Sequence, residues 1–276
     1  MLFALTVQQL FLRHTMVIVP HPPLPTTFYL LAPYYDYRQP PPCVQQHTVY
    51  KAVLYIWGIY FRVYSQFLYY NRRADVVARG FSGYNTRQCL ALLPYVAADL
   101  KDVVGATVFL GANDASEPVN TQQFVPLQEY VQNLKDIVAH FQKAGIDPVV
   151  ITPPALDGKA WHENCKERDR LYTKDEELTA MYAQACSHTA IELKVPCIDL
   201  HTAMMVEENW QGLLSDGLHL SCRGSELLAS LLVPVLEKHV NNLPSELLLP
   251  LWDELDAKNP SDSFVEWCIK NGGKFS

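Results

Sequence analysis

The segment Ala106–Asp114 reads Ala-Thr-Val-Phe-Leu-Gly-Ala-Asn-Asp, and it predicts the fold of much of the chain. Five apolar or β-branched residues in succession indicate a strand that is buried on both faces. The Gly-Ala-Asn-Asp that follows has the composition of a loop, so the strand ends where polar side chains begin. Strands of this kind lie in parallel sheets that helices cover on both faces.

Strand and helix patterns alternate on either side of this segment. Short apolar runs predict further strands at Val76–Ala78, Pro148–Thr152 and Pro196–Leu200. Apolar residues at helical spacing predict helices at Thr86–Asp102, Leu127–Phe141 and Leu178–Leu193, and a helix-like stretch runs from about Ser221 to His239. This alternation predicts the α/β class, a three-layer α/β/α sandwich with a flavodoxin-like parallel sheet.

The first strand of such a sheet must come from residues 1 to about 60, or the sheet has an unfilled position near its middle. The stretch Tyr50–Tyr70 is unusually aromatic, and its periodicity fits a helix or a strand equally well. Composition then divides the chain into three parts: an aromatic, proline-rich segment (residues 1–65), a main domain (residues 66–240) and a C-terminal tail that packs on it (residues 241–276).

Composition excludes several classes of function. Of the 276 residues, 49% are hydrophobic and 18% are charged, which is the balance of a globular protein rather than a disordered one. The formal net charge of -7 argues against a general nucleic-acid binder, because such a protein needs a basic face.

The cysteines and the apolar runs predict a soluble cytoplasmic protein. The seven cysteines include no Cys-x-x-Cys pair and have irregular spacing, so free thiols in a reducing compartment are expected rather than zinc sites or a disulfide framework. The N-terminus lacks the charged region of a signal peptide. The apolar run Ala52–Phe61 is too short to span a bilayer, which takes about 20 residues.

A carboxylate and an imidazole lie three residues apart in Leu214-Ser-Asp-Gly-Leu-His-Leu220. Histidine is the usual general base near neutral pH, and it needs a partner that fixes its tautomer. Gly217 allows the tight turn that would bring Asp216 and His219 together. The alternative is a surface loop with a solvated Asp and His.

Two further loops supply candidate hydrogen-bond donors. Gly83, in Arg79-Gly-Phe-Ser-Gly-Tyr-Asn-Thr86, and Asn113 each follow a predicted strand, at the edge where open α/β sheets bind ligands. A glycine N–H and an asparagine amide together could stabilise a developing oxyanion. The alternatives are a plain turn glycine and an ordinary turn asparagine. A loop with Trp161, His162 and Cys165 is expected to be packed or to line the substrate rather than to act in catalysis.

The order Gly, Asn, Asp-x-x-His in these contexts resembles the SGNH (GDSL-type) hydrolase family, and within it the branch of isoamyl acetate-hydrolysing esterases. The resemblance runs from about Gln66 to the C-terminus, and it includes Ala74-Asp-Val76 and the Leu-Leu-Leu-Pro-Leu-Trp tail at residues 247–252. It implies a carboxylic ester hydrolase acting on small short-chain esters such as acetates, with water as second substrate and no metal or cofactor.

The resemblance also implies the roles of individual residues. His219 would be the general base and Asp216 would orient it. Gly83 and Asn113 would form the oxyanion hole. The expected partner is a small ester, with no nucleic acid and no membrane span.

The chain departs from the family pattern at the nucleophile. The family has a Gly-Asp-Ser block at the end of the first strand, and its serine attacks the ester; no Gly-Asp-Ser occurs in this chain. Ser65 and Ser82 lie in sequences unlike a nucleophile turn, so the nucleophile is unassigned. The sequence therefore predicts slow ester hydrolysis, or alternatively a non-catalytic module that binds an ester or a protein.

Overall fold

The structure is a computed structural model that describes the backbone of residues 52–57 and the whole of residues 73–96, 103–243 and 249–270. Within these residues the sheet has five strands, β1 (Ala52–Trp57), β2 (Asp75–Ala78), β3 (Val103–Phe109), β4 (Asp147–Ile151) and β5 (Cys197–Ile198). Their order is β2-β1-β3-β4-β5, and every neighbouring pair is parallel. The predicted α/β class and parallel sheet are confirmed.

Strand β1 supplies the first strand from residues 1 to about 60, so the sheet has no unfilled position between β2 and β3. It pairs with β2 on one side and with β3 on the other, with Trp57 in register with Phe109. The strands that follow β1 in the chain lie on both sides of it, with β2 on one side and β3, β4 and β5 on the other. The topological switch point of the sheet is therefore the crevice beyond the carboxyl ends of β1 and β3. Ligands of doubly wound sheets bind at that position.

Helices connect the strands and follow the last one. Their bounds are α1 (Thr86–Val96), α2 (Leu127–Lys143), α3 (Gly158–Glu167), α4 (Glu176–Leu193), α5 (Leu200–Met205), α6 (Cys222–His239) and α7 (Pro260–Lys270), with short 3-10 helices at Trp210–Leu213 and Trp252–Glu254. The helices expected at Leu127–Phe141, Leu178–Leu193 and Ser221–His239 are confirmed. The expected continuation of α1 beyond residue 96 lies outside the described residues. No helix in the described ranges has the length and apolarity needed to cross a bilayer.

Each face of the sheet carries its own hydrophobic core, as a three-layer sandwich requires. In β4, Val150 packs into the core that contains Phe141 of α2. Its neighbours Val149 and Ile151 pack into the opposite core, which contains Leu228 of α6. Side chains alternate between the two faces of a strand, so β4 is buried on both sides by different helices.

The expected loop around Trp161, His162 and Cys165 is a helix instead. Asp157 begins α3 by accepting a hydrogen bond at Oδ1 from Ala160 N, at 3.0 Å. Trp161 and Cys165 lie one turn apart and are buried, whereas His162 is exposed. The prediction was wrong because α3 has few apolar residues, so its stability depends on the cap and on tertiary contacts more than on a periodic stripe.

Two smaller expectations are also corrected. Met181, expected on the buried face of α4, is 50% exposed. Leu200, expected in the last strand, begins α5. Asp199 ends the strand by capping that helix, because its carboxylate accepts from Thr202 N at 3.1 Å.

Replacing Phe141 should test how much the core under α2 stabilises the protein. Its side chain is fully buried, so Phe141→Ala is expected to lower the free energy of unfolding by about 3–5 kcal/mol. Ile191→Ala, at a side chain that is 69% exposed, is the control and should change the free energy by less than about 0.5 kcal/mol. Urea unfolding of the two variants measures the difference, and equal effects would contradict the assignment of the core.

Candidate active site

Asp216 and His219 form a hydrogen-bonded pair, as the sequence predicted. Asp216 Oδ2 lies 2.7 Å from His219 Nδ1, and Oδ1 accepts from the backbone N–H groups of His219 at 2.8 Å and Leu218 at 3.1 Å. The loop closes on itself, because Ser215 N donates to the His219 carbonyl oxygen at 2.7 Å. The carboxylate thus fixes both the backbone and the ring of the histidine.

The carboxyl group of Asp216 stays ionised at neutral pH. Partial burial opposes ionisation, but the hydrogen bonds from His219 and Leu218 and the charge of His219 together outweigh it. The pKa of Asp216 is lowered to about 2. An ionised Asp216 accepts from Nδ1–H, which leaves Nε2 as the ring nitrogen that can take a proton from a nucleophile.

Gly217 is the turn residue on which this loop depends. Its φ is +90°, a backbone conformation that side chains other than glycine disfavour. Its carbonyl oxygen accepts from Asp157 N at 2.9 Å, and a Cβ at this position would lie 2.4 Å from Trp161 N. The Trp161 ring meets the His219 imidazole edge to face, with centroids 5.7 Å apart. The loop therefore rests on the first turn of α3.

Gly83 and Asn113, the two predicted oxyanion donors, lie next to each other although they are 30 residues apart in sequence. Gln123 Nε2 donates to the Gly83 carbonyl oxygen and to Asn113 Oδ1, each at 3.1 Å. Asn113 Nδ2 donates to the Tyr84 carbonyl oxygen at 2.8 Å. No sequence pattern marks Gln123, because it lies in a loop without periodicity.

Asp114 turns inward and holds the same two loops together. Its side chain is fully buried, and its carboxylate accepts from Thr86 N, at 3.0 and 3.2 Å, and from the Thr86 hydroxyl. Burial raises the pKa of Asp114 to about 6, although the hydrogen bonds from Thr86 and the charge of Lys174 favour ionisation. The loop after β3 is thereby anchored to the first turn of α1.

Lys174 is a functional candidate that the sequence analysis missed. Its side chain is 3% exposed, and Nζ donates to the Ala112 carbonyl oxygen and to Ser116 Oγ, both at 2.6 Å, and to the Asn113 carbonyl oxygen at 3.2 Å. Burial lowers the pKa of Lys174 to about 7, against the opposing effects of Asp114 and Cys165. An isolated lysine between two predicted elements carries no sequence signal for such a position.

The segment from Thr173 to Glu176 contacts two regions: the chain after Asn113, and the start of helix α3, which supports the Asp216–His219 loop. On one side, the Thr173 carbonyl oxygen accepts from Glu117 N at 2.8 Å. On the other, Glu176 Oε1 accepts from Gly158 N, in the first turn of α3, at 2.9 Å. The structure brings Asp216 to His219 and Gly83 to Asn113. That all four face one substrate pocket stays a prediction.

No serine hydroxyl within the described ranges forms a hydrogen bond with the His219 ring. Ser215 Oγ donates to the His219 carbonyl oxygen at 3.0 Å instead. Ser82 is exposed, and Ser65 lies outside the described residues. In the sequence, Gly58-Ile59-Tyr60 follows directly after β1.

The parallel sandwich, with a carboxylate-oriented histidine and side-chain amides in loops that follow its strands, defines a hydrolase-like protein of the flavodoxin-like α/β type. The chain belongs to the GDSL-like lipase/acylhydrolase family, whose family model matches residues 57–227.

Curated relatives agree with this family. The chain is 38% identical over 201 residues to the Homo sapiens isoamyl acetate-hydrolyzing esterase 1 homolog, a match that covers 70% of this chain and 80% of that protein. It is 37% identical over 171 residues to the isoamyl acetate-hydrolyzing esterase of Saccharomyces cerevisiae, which covers 61% of this chain and 71% of that protein. The resemblance to this esterase branch is confirmed.

Solved structures confirm the fold alone, because their sequences are distant. A lipase/acylhydrolase from Enterococcus faecalis superposes with a TM-score of 0.56 at 23% identity, covering 69% of this chain and 96% of that one. An acetylxylan esterase from Geobacillus stearothermophilus gives a TM-score of 0.52 at 16% identity, covering 68% and 96%.

The packing of the His219 loop on α3 can be tested at Gly217. Gly217→Ala should destabilise the protein more than Gly145→Ala, although φ is positive at both positions, because a Cβ at Gly145 meets nothing within 4 Å. The backbone strain alone costs about 1–2 kcal/mol, and the clash at Gly217 should add about 1–3 kcal/mol. Urea unfolding of both variants checks this, and equal losses would show that the loop does not rest on α3.

The buried carboxyl group of Asp114 should make stability depend on pH. Its pKa is raised from 3.8 to about 6 in the folded state, so the unfolded chain releases this proton first as the pH rises. The contribution of Asp114 to stability is therefore present below pH 3.8 and is lost as the pH rises through about 6.

Urea unfolding between pH 4 and pH 6 measures this dependence. Asp114→Asn should make the free energy of unfolding fall less steeply over that range than it does in the natural chain. Asp136→Asn on the surface of α2 is the matched control and should keep the natural slope. An unchanged slope in Asp114→Asn would contradict the raised pKa.

Proposed function

We propose that this chain carries the active-site framework of a hydrolase for small short-chain carboxylic esters such as acetates. The observation that carries the proposal is the 2.7 Å contact between Asp216 Oδ2 and His219 Nδ1, in a loop held by Gly217 and α3. This arrangement fixes the orientation and the tautomer of the imidazole, which is what a general base for ester hydrolysis needs.

His219 carries out the proton transfers, and Asp216 orients it. Nε2 of His219 takes the proton of the attacking hydroxyl and then gives it to the leaving alcohol. Asp216 remains ionised, holds the Nδ1–H tautomer and stabilises the imidazolium that forms between the two transfers. The carboxylate itself takes up no proton.

Gly83 and Asn113 stabilise the tetrahedral intermediate. The carbonyl oxygen of the ester gains negative charge on attack, and the Gly83 N–H and the Asn113 side-chain amide donate hydrogen bonds to it. Gln123 supports these roles, because a single amide group holds the Gly83 carbonyl and Asn113 Oδ1. Donors that are fixed before the reaction need no reorganisation during it.

Gly58-Ile59-Tyr60 occupies the place at which the family has Gly-Asp-Ser. Two observations support this position. Strand β1 ends at Trp57 beside the switch point of the sheet, and the match to the family model begins at residue 57. The chain as it stands has no serine there, so it hydrolyses esters only by attack of water that His219 activates. It thereby loses the acyl-enzyme route.

A second candidate is a module that binds esters without turnover. The observation that favours it is the isoleucine and tyrosine in place of Asp and Ser after β1. The two candidates share the binding site and differ only in rate.

Short apolar esters are the substrate class that the surroundings of His219 support. Leu156, Trp161, Cys165 and Leu218 form a small apolar cluster beside the histidine. The names of the relatives, which specify isoamyl acetate, support the same class. The odd number of cysteines and their irregular spacing support a cytoplasmic location.

Restoring the family block is the sharpest test. The natural chain should hydrolyse p-nitrophenyl acetate only slowly, at roughly the 10³-fold enhancement that serine hydrolases retain without their triads. The double variant Ile59→Asp, Tyr60→Ser should raise kcat at least about 100-fold, because the restored family serine would reopen the covalent route.

The control for this experiment is the same double variant with His219→Ala, which should return turnover to the level of the natural chain. A double variant that folds, judged by its circular dichroism, yet gains no turnover would contradict the position given to the nucleophile. Fast turnover by the natural chain, abolished by Ser65→Ala or Ser82→Ala, would show that another serine acts.

A further inference from the structure

Lys174 is a buried cation that the proposed reaction does not use. It lies in the segment between α3 and α4, yet its ammonium group reaches the loop after β3, about 60 residues earlier in the chain. A lysine whose side chain is 3% exposed has lost nearly all its hydration, which favours the neutral form and costs free energy. The hydrogen bonds of the Lys174 ammonium group must therefore compensate for the lost hydration.

All three hydrogen-bond acceptors of Lys174 belong to the loop that carries Asn113. Two are the carbonyl oxygens of Ala112 and Asn113, and the third is Ser116 Oγ. Ser116 Oγ in turn donates to the Asn113 carbonyl oxygen at 2.8 Å. Lys174 and Ser116 thus both donate to the main-chain carbonyl oxygen of Asn113, and Lys174 also donates to Ser116.

The side chain of Asn113 is held by a separate set of contacts. Gln123 Nε2 donates to its Oδ1, and its Nδ2 donates to the Tyr84 carbonyl oxygen. With the main chain fixed by Lys174 and the amide plane fixed by Gln123, the direction of the Nδ2 hydrogens is determined. A change of about 1 Å in the position of a group at the reacting centre can lower a rate about 100-fold.

We propose that Lys174 is a positioning residue for the oxyanion hole, acting through the main chain of Asn113 and through Ser116. The proposal rests on the role of Asn113 in the proposed function. Because neighbouring Glu176 binds the first turn of α3, the same segment also connects the Asn113 loop to the helix that supports His219. Lys174 thereby contributes to the distance between the oxyanion donors and the base.

The first test measures the position of Asn113 without any need for turnover. The full chain is labelled with ¹⁵N-asparagine, and the side-chain amide resonances that Asn113→Ala removes are assigned to Asn113. Lys174→Met, which replaces the cation with an apolar side chain of similar length, should shift these resonances. Ser116→Ala should shift them in the same direction by less, because it removes one of the two donors to the Asn113 carbonyl oxygen.

The second test measures catalysis in the variant with Ile59→Asp and Tyr60→Ser. Adding Lys174→Met should lower kcat for p-nitrophenyl acetate about 10- to 100-fold and leave KM within about twofold, because the oxyanion develops only after binding. Ser116→Ala should lower kcat by less. Lys135→Met, which removes a lysine that pairs with Glu192 on the helical surface at 2.7 Å, is the matched control and should change neither quantity.

The two tests separate this proposal from the proposed function. Unshifted Asn113 resonances in a folded Lys174→Met chain would overturn the positioning role of Lys174. The role would also be overturned if Lys174→Met shifts the resonances but leaves kcat unchanged in the variant with Ile59→Asp and Tyr60→Ser. If Lys174→Met does not fold, Ser116→Ala decides by the same two criteria. If no variant gains turnover, the proposed nucleophile position fails, whereas the resonances of the natural chain still decide whether Lys174 positions Asn113.

Discussion

The buried carboxylate of Asp114 joins the two loops that carry Gly83 and Asn113, the proposed oxyanion donors. It accepts hydrogen bonds from the backbone and the hydroxyl of Thr86, in the first turn of α1, while adjacent Asn113 donates to the Tyr84 carbonyl oxygen. Two consecutive side chains after β3 therefore fix the turn that follows β2. Burial of a carboxylate is unfavourable, but the free N–H groups and the dipole of a helix N-terminus offset part of that cost.

The parallel sheet explains why polar side chains from distant segments meet. Every strand ends at the same edge, and the loops that leave this edge carry Gly83, Asn113 and Asp157. Helices cover both faces, so the loops at this edge are where buried polar groups can contact one another and a ligand. The order of strands then reverses at β1, which makes the end of that strand the natural position for a nucleophile.

The site framework in this chain does not depend on the nucleophile. The His219 loop is held by Asp216 and by the first turn of α3, and the loops that carry Gly83 and Asn113 are held by Asp114, Gln123 and Lys174. These contacts are internal to the loops and their supporting helices. None of these named contacts involves residues 58–60, so a change at the proposed nucleophile position does not remove them.

The sequence by itself determined the elements whose signals are local. The β3 and β4 strands and the α2 helix follow from apolar runs and from helical spacing, and the Asp216–His219 pair follows from two residues three positions apart around a glycine. Tertiary structure decided the rest. The aromatic stretch before Gly58 is a strand because it lies between β2 and β3, and α3 is a helix because Asp157 caps it and Leu218 covers it. The contacts of Gln123 and Lys174 join residues up to 62 positions apart, and no local periodicity encodes such contacts, because only the folded sheet brings their loops to one edge.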